Sequence, residues 1–318
     1  MVGYLIRRLL QAIIVVLGVI IIVFLLSRMI PGGEARAVLG PKSTPPLIRE
    51  FNHANGFTQP LWVQFWHYLI GLPLLHLGYS YKFTEPVWDV ISNRLPKTIV
   101  LVGTSTALAL VIAIPLGVIQ VVRRNKPSDY ALTGVAFVLY AMPSFFLGTL
   151  LIIWFSFDAG WLPVSPPSNA SPFAVWTDPK GFIMPVVTLA ALTIALFSRY
   201  MRSSLLDAIA EDYIRTARAK GASNRRVLYG HALRNALIPI VTLLGLSLPG
   251  IVGGAVIVET LFNYPGMGLL IVQAAEQSDI PTVLGTTLVI TIATVIGSLL
   301  ADIVYVLVDP RIRYGGSF

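Results

Sequence analysis

The chain has 318 residues, of which 55% are apolar and only 12% charged, with a mean hydropathy of +0.77. This composition excludes an ordinary soluble domain and reads as a polytopic membrane protein. The absence of cysteine excludes disulfides, thiolate metal ligands and thiol nucleophiles, and a membrane charge bias explains the formal charge of +8 without nucleic acid.

Arg7 and Arg8 precede the first apolar stretch, residues 9–30. That stretch is longer than a signal-peptide core, and Arg28 followed by Pro31-Gly32-Gly33 does not resemble a cleavage site, so a retained first helix is expected. Residues 31–97 form a large insertion. Its start, PGGEARAVLGPKSTPP, reads as irregular, whereas residues 60–75, PLWVQFWHYLIGLPLL, carry aromatics suited to a membrane surface. Residues 88–94 read as a short helix before Pro96 and the second span.

The remaining apolar stretches cover residues 98–122, 131–157, 182–197, 237–258 and 283–308. Each approaches the roughly 20 residues that cross a hydrocarbon core, the fourth by extending through Ser198 and Tyr200. Pro115, Pro143 and Pro185 are expected kink positions. Between the third and fourth spans, residues 158–180 contain Pro163, Pro166, Pro167, Pro172 and Pro179, the composition of a semi-rigid loop.

Charge alternates along these flanks. One side collects 15 basic and 5 acidic residues, the other 8 basic and 9 acidic, which assigns both termini to the cytoplasm.

Residues 199–236 hold 8 of the 23 basic residues against 3 acids. From 202 to 220 there is neither Pro nor Gly, which predicts one continuous helix. Asp207, Glu211 and Arg215 are spaced four apart on it, with Glu211 favourably placed before Arg215. Gly221 suits the helix end, and Ser223 suits the cap of a second helix over 224–236. The prediction is a protruding elbow with a Gly-Ala-Ser corner.

DYIRTARAKGA (212–222) and HALRNALIP (231–239) carry a resemblance, together with VETLFNYPGMG (258–268), SDIP (278–281) and LIRRLL near the amino terminus. The chain resembles the inner-membrane permease subunits of ATP-binding-cassette importers, in particular the first of the two permeases of the dipeptide and oligopeptide group. The wider family has a Glu-Ala-Ala start, a glycine and a later Leu-Pro pair. Here those places hold Arg215-Thr216-Ala217, Gly221 and Leu233-Arg234, departures typical of the peptide group, so no role of the family glutamate carries over.

The resemblance implies an all-α type I importer permease fold with six transmembrane helices. It divides the chain into an N-terminal helix with an external insertion (1–97), a permease core (98–310) containing the coupling segment, and a cytoplasmic tail (311–318). The implied setting is the bacterial cytoplasmic (inner) membrane. Implied partners are a homologous second permease, two ATPases that bind ATP and Mg, and an external peptide-binding protein or lipoprotein. The chain contains no GxxxxGK[ST] phosphate loop, so no cofactor and no enzymatic activity are expected of it.

Glu211, Arg215, Ala217, Arg218, Lys220, Gly221, Ala222, Ser223 and Arg225 are the expected ATPase-coupling residues. Small side chains seat in a groove and cations meet acids, with anionic lipid as the alternative contact for the cations. Pro249, Gly253, Gly254 and Asp302 are candidates for pathway or gating, against plain packing and, for Asp302, hydration near the span end. Glu259 and Asp279 are candidates for receptor or substrate contact, with capping or an internal salt bridge as the ordinary roles. His53, His67, His76 and His231 form no close metal-ligand motif. The expected function is import of dipeptides or oligopeptides. Alternatives are an ion-coupled secondary transporter or channel, a scaffold, or the same architecture importing nickel chelates or glutathione.

Overall fold

A computed structural model describes residues 2–29, 35–36, 39–40, 43–72, 75–80, 82–167, 169–253 and 256–308. Helix α1 (Val2–Arg28) is apolar around its circumference and leaves Leu9, Ile14 and Ile22 exposed, the surface expected of a lipid-facing helix. In the insertion, α2 (Pro45–Ala54) and α3 (Leu61–Gly71) precede a short antiparallel pair, β1 (Tyr79–Ser80) and β2 (Glu85–Pro86). Trp62 and Trp66 on α3 are 74% and 58% exposed, in keeping with the aromatic character of that segment.

The short helix expected at 88–94 is fused with the second span into α4 (Val87–Val122), which continues through Pro96 and Pro115. A proline inside a helix removes one hydrogen bond without ending it where neighbouring helices hold the backbone. The principal neighbour is α7 (Ile183–Ala210), and at Gly117 the two come so close that a Cβ would stand 2.6 Å from the Met201 Cβ.

The third apolar stretch is not one straight helix. It forms α5 (Pro127–Ala141) and α6 (Ser144–Leu151), the latter continued by a π-helical turn over Ile152–Asp158, and the two limbs are bent by 103°. Pro143 lacks the donor a continuous helix needs and forces Met142 into extended backbone (φ −77°, ψ 124°). Pro185, by contrast, sits in the first turn of α7, where proline is tolerated and makes no kink.

The continuous helix expected over 202–220 is broken at Glu211, whose backbone is extended (φ −69°, ψ 151°), so α7 ends at Ala210 and α8 (Asp212–Ala219) begins anew. Leu205 and Ala208 face the core, and an unbroken helix would carry Asp212 onto the same face. The break exposes Asp212 and buries Ile214 completely instead. Beyond the corner, α9 (Asn224–Arg226), a π-helical stretch (Val227–Ala232) and α10 (Leu233–Gly253) succeed one another without interruption. The second elbow helix and the fifth span are therefore a single rod.

The chain closes with α11 (Val256–Leu261), α12 (Met267–Glu276) and α13 (Ile280–Val308), the last packed against α10 and α1. Among the described residues, five helices are each long and apolar enough to cross a membrane, and the bent α5–α6 pair, counted as one span, makes six. The molecule is an all-α multi-pass membrane protein.

Candidate functional site

The corner after α8 is built by backbone chemistry. Ala222 N donates to Ala217 O at 3.1 Å and Gly221 N to Arg218 O at 2.9 Å, the paired bonds of a Schellman helix end. This geometry requires a left-handed residue, and Gly221 has φ +80°. Ser223 then starts the next helix, its Oγ accepting from Arg226 N at 3.4 Å.

Around this turn, Gly221, Ser223, Arg218, Lys220, Arg225 and Arg226 are exposed, while Ala217 and Ala222 are half-buried. Arg215 pairs with Asp212 at 3.2 Å, both side chains well exposed, and Glu211 stands in the break rather than on a shared helix face with Arg215. The positive field thus rests on an exposed rim. A depression lined by Ser223, Arg225, Arg226, Tyr229 and Gly230 opens beside it.

The underside of the elbow is apolar and fixed. Ile214, Val227, Ala232 and Ala236 belong to one buried cluster with Phe197, Met201 and Leu205 of α7 and Val118 of α4. The corner is thereby packed against α4, α7 and α10 through buried side chains.

A charged clamp sits close by. Arg202 holds Asp129 in a two-point contact, Nε to Oδ1 at 3.1 Å and Nη2 to Oδ2 at 3.0 Å, and Asp129 also accepts from Asn125 N at 3.1 Å. Asp129 is 2% exposed, so the pair ties α5 to α7 inside the protein. Sequence reasoning counted both residues only as flank charges. The available signal was an acid in the first turn behind Pro127, a position that favours negative charge.

Glu259 and Asp279 lie deep. Glu259 is fully buried: Oε1 accepts from Thr98 Oγ1 at 2.7 Å, and Oε2 accepts from Gly268 N and Leu269 N at 2.6 and 3.2 Å. It caps the start of α12 and links it to α4. Thr98 Oγ1 in turn accepts from Met267 N at 2.8 Å, and a Cβ on Gly266 would stand 2.4 Å from the Glu259 carboxylate. Tyr264 closes the knot by donating to Lys97 O at 2.8 Å, and burial, then the Glu259 charge, push its hydroxyl above its ordinary pKa. Asp279 caps α13 through Thr282 and accepts a short hydrogen bond from Ser80 Oγ of β1. In this conformation both carboxylates cap a helix start, and each also ties that start to a distant hydroxyl, Thr98 or Ser80.

Pro249 and Gly253 lie within α10 and Asp302 within α13, each as helical backbone, while Gly254 and the tail at 311–318 lie outside the described residues. The side-chain surroundings of Pro249 and Asp302 lie outside them as well. Among the described residues, no group of three or more His, Asp or Glu is arranged to hold a metal ion.

Similarity to known proteins covers the whole chain. Residues 109–314 match the model of the binding-protein-dependent transport system inner membrane component, and residues 1–102 match that of its N-terminal region. The chain is 38% identical over 316 residues to the oligopeptide transport system permease protein AppB of Bacillus subtilis (strain 168), covering 99% of this chain and 100% of the relative. It is 37% identical over 314 residues to the glutathione transport system permease protein GsiC of Escherichia coli (strain K12), covering 99% and 100%. With six apolar crossings, a rigid charged elbow and matches along its entire length, the chain belongs to the family of binding-protein-dependent transport system inner membrane components.

Proposed function

We propose that this permease forms part of the transmembrane pathway of an ATP-driven importer of dipeptides or oligopeptides. Its partners in this reading are a homologous second permease, two ATPase subunits that hold ATP and Mg, and an external peptide-binding protein or lipoprotein. Both termini then face the cytoplasm of a bacterial inner membrane. The full-length likeness to an oligopeptide permease supports the substrate class. Glutathione is itself a small peptide, so the second relative favours a variant of the same reading with that substrate.

The observation that carries the coupling role is the Gly221 corner: an exposed turn with basic flanks, mounted on a buried apolar base shared by three long helices. Small Ala222 and Ser223 seat against an ATPase, and Arg218, Lys220 and Arg225 pair with its acids. Closure of the ATPases then moves the corner, and the packed base carries that motion to the spans.

The test is purification of the intact complex, identification of its subunits and measurement of uptake across a panel of short peptides, glutathione and nickel chelates. Two co-purifying ATPases and ATP-dependent peptide uptake are expected. Uptake that follows a proton gradient without the ATPases overturns the reading, and uptake of nickel chelates alone overturns the substrate class.

A further inference from the structure

The insertion between α1 and α4 contains two helices of opposite character. Helix α2 carries Arg49 and Glu50 on its exposed surface, whereas no Asp, Glu, Lys or Arg occurs between Glu50 and Lys82, a stretch that includes all of α3. On α3, Trp62, Trp66 and Ile70 are spaced four apart and share one exposed face, flanked by His67. The other face is committed to the protein: Phe65, Tyr68, Leu69 and Leu72 pack on the buried cluster that holds Ile20, Val87 and Leu288. Gln64 fixes the rotation of the helix, its Nε2 donating to Gln59 O at 2.7 Å and to Phe57 O at 3.1 Å in the turn that follows α2.

The depth of α3 is set by its contact with α1. Phe65 meets the Phe24 ring edge-on with centres 5.2 Å apart, and Tyr68 lies 6.0 Å from the same ring. Phe24 belongs to the membrane-length apolar stretch of α1, and Ile22, Leu25 and Leu26, within a turn of it, are exposed. The exposed face of α3 therefore continues the lipid-facing surface of α1 instead of standing clear of it. With 11 residues α3 is about 16 Å long, half of the roughly 30 Å hydrocarbon core, so it cannot cross. Nor does so short a strip supply the roughly 800 Å² per partner that a stable protein interface buries.

We propose that α3 is a membrane-surface helix, lying in the leaflet on the insertion's side with Trp62, Trp66 and Ile70 against lipid, while α2 stands in water. The boundary between acyl chains and headgroups suits an indole, whose ring is apolar and whose N–H needs an acceptor. The insertion is then fastened on both faces of α3, by the apolar cluster to the spans and by the tryptophans to the bilayer. This contact depends neither on the solute carried nor on the ATPase partners.

The chain lacks cysteine, so a single introduced thiol is labelled alone. Trp66→Cys and Ile70→Cys on α3, and Arg49→Cys and Glu50→Cys on α2, are each spin-labelled in the full chain, purified with its co-purifying subunits and reconstituted into nanodiscs of phosphatidylethanolamine and phosphatidylglycerol. Electron paramagnetic resonance then measures collision of the label with oxygen, which concentrates in lipid, and with a water-soluble nickel chelate. The oxygen-to-nickel ratio is expected to be several-fold higher at the two α3 positions than at the two α2 positions. All four side chains are exposed, so the labels leave the packed core intact. Equal ratios, with nickel reaching both helices, put α3 in water and overturn the proposal. Shielding of the α3 labels from both reagents also overturns it, because a protein partner then covers this face.

Discussion

Gly221 is constrained by its backbone and not by its surroundings, since a Cβ there would meet nothing within 4 Å. An L-residue at φ +80° costs about 1–2 kcal/mol, least for Asn and most for a β-branched side chain. Gly221→Asn is therefore expected to retain most ATP-driven uptake, and Gly221→Val to lose most of it while still inserting in the membrane. Equal uptake by the two variants counts against a role for the turn conformation. Glu259 poses the opposite problem, because its environment is saturated. In Glu259→Gln only one of the two atoms can accept, so either the α12 N–H groups or the Thr98 hydroxyl loses its acceptor, at a cost of about 2 kcal/mol. A lower melting temperature of the purified chain is the expected sign, and an unchanged one removes the capping role.

The Asp129–Arg202 clamp belongs to the scale of elements, for it fixes how α5 meets α7. Arg202 keeps contact with solvent while Asp129 is buried, so Asp129→Asn, which loses the charge-assisted bonds without stranding a buried charge, is expected to destabilise by about 1–2 kcal/mol. The double replacement Asp129→Leu/Arg202→Met restores part of that loss, and a double-mutant cycle on denaturation midpoints measures it. Strict additivity would show that the pair does not act as a unit. Ile214 tests the break between α7 and α8 in the same way. Ile214→Ala empties the anchor of the elbow and is expected to cost about 3 kcal/mol. ATP hydrolysis in the complex should then persist while uptake falls.

Across the molecule, what the sequence made legible is what local chemistry dictates. Spans follow from apolar length, and the Gly221 and Ser223 turns follow from capping rules that act over a few residues. The break at Glu211 was hidden because it serves the burial of Ile214 rather than any propensity of its own. Thr98 was hidden because its partner Glu259 lies 161 residues away. Pro143 marked a discontinuity, but the 103° angle depends on what α5 and α6 pack against. The caps at Glu259 and Asp279 required the fold, since a carboxylate before a helix reads the same whether it is buried or exposed.

Helix α4 joins the two regions that matter most, with Thr98 bound into the Glu259 knot near one end and Val118 set in the elbow cluster near the other. Its 36 residues make a rod about 54 Å long. If it moves as one body, a tilt of about 5° displaces one end by about 5 Å relative to the other, roughly the rise of one helical turn. An adjustment at the corner too slight to unpack any side chain would thereby be magnified, by leverage alone, into a displacement of nearly two water diameters at the other end of the helix.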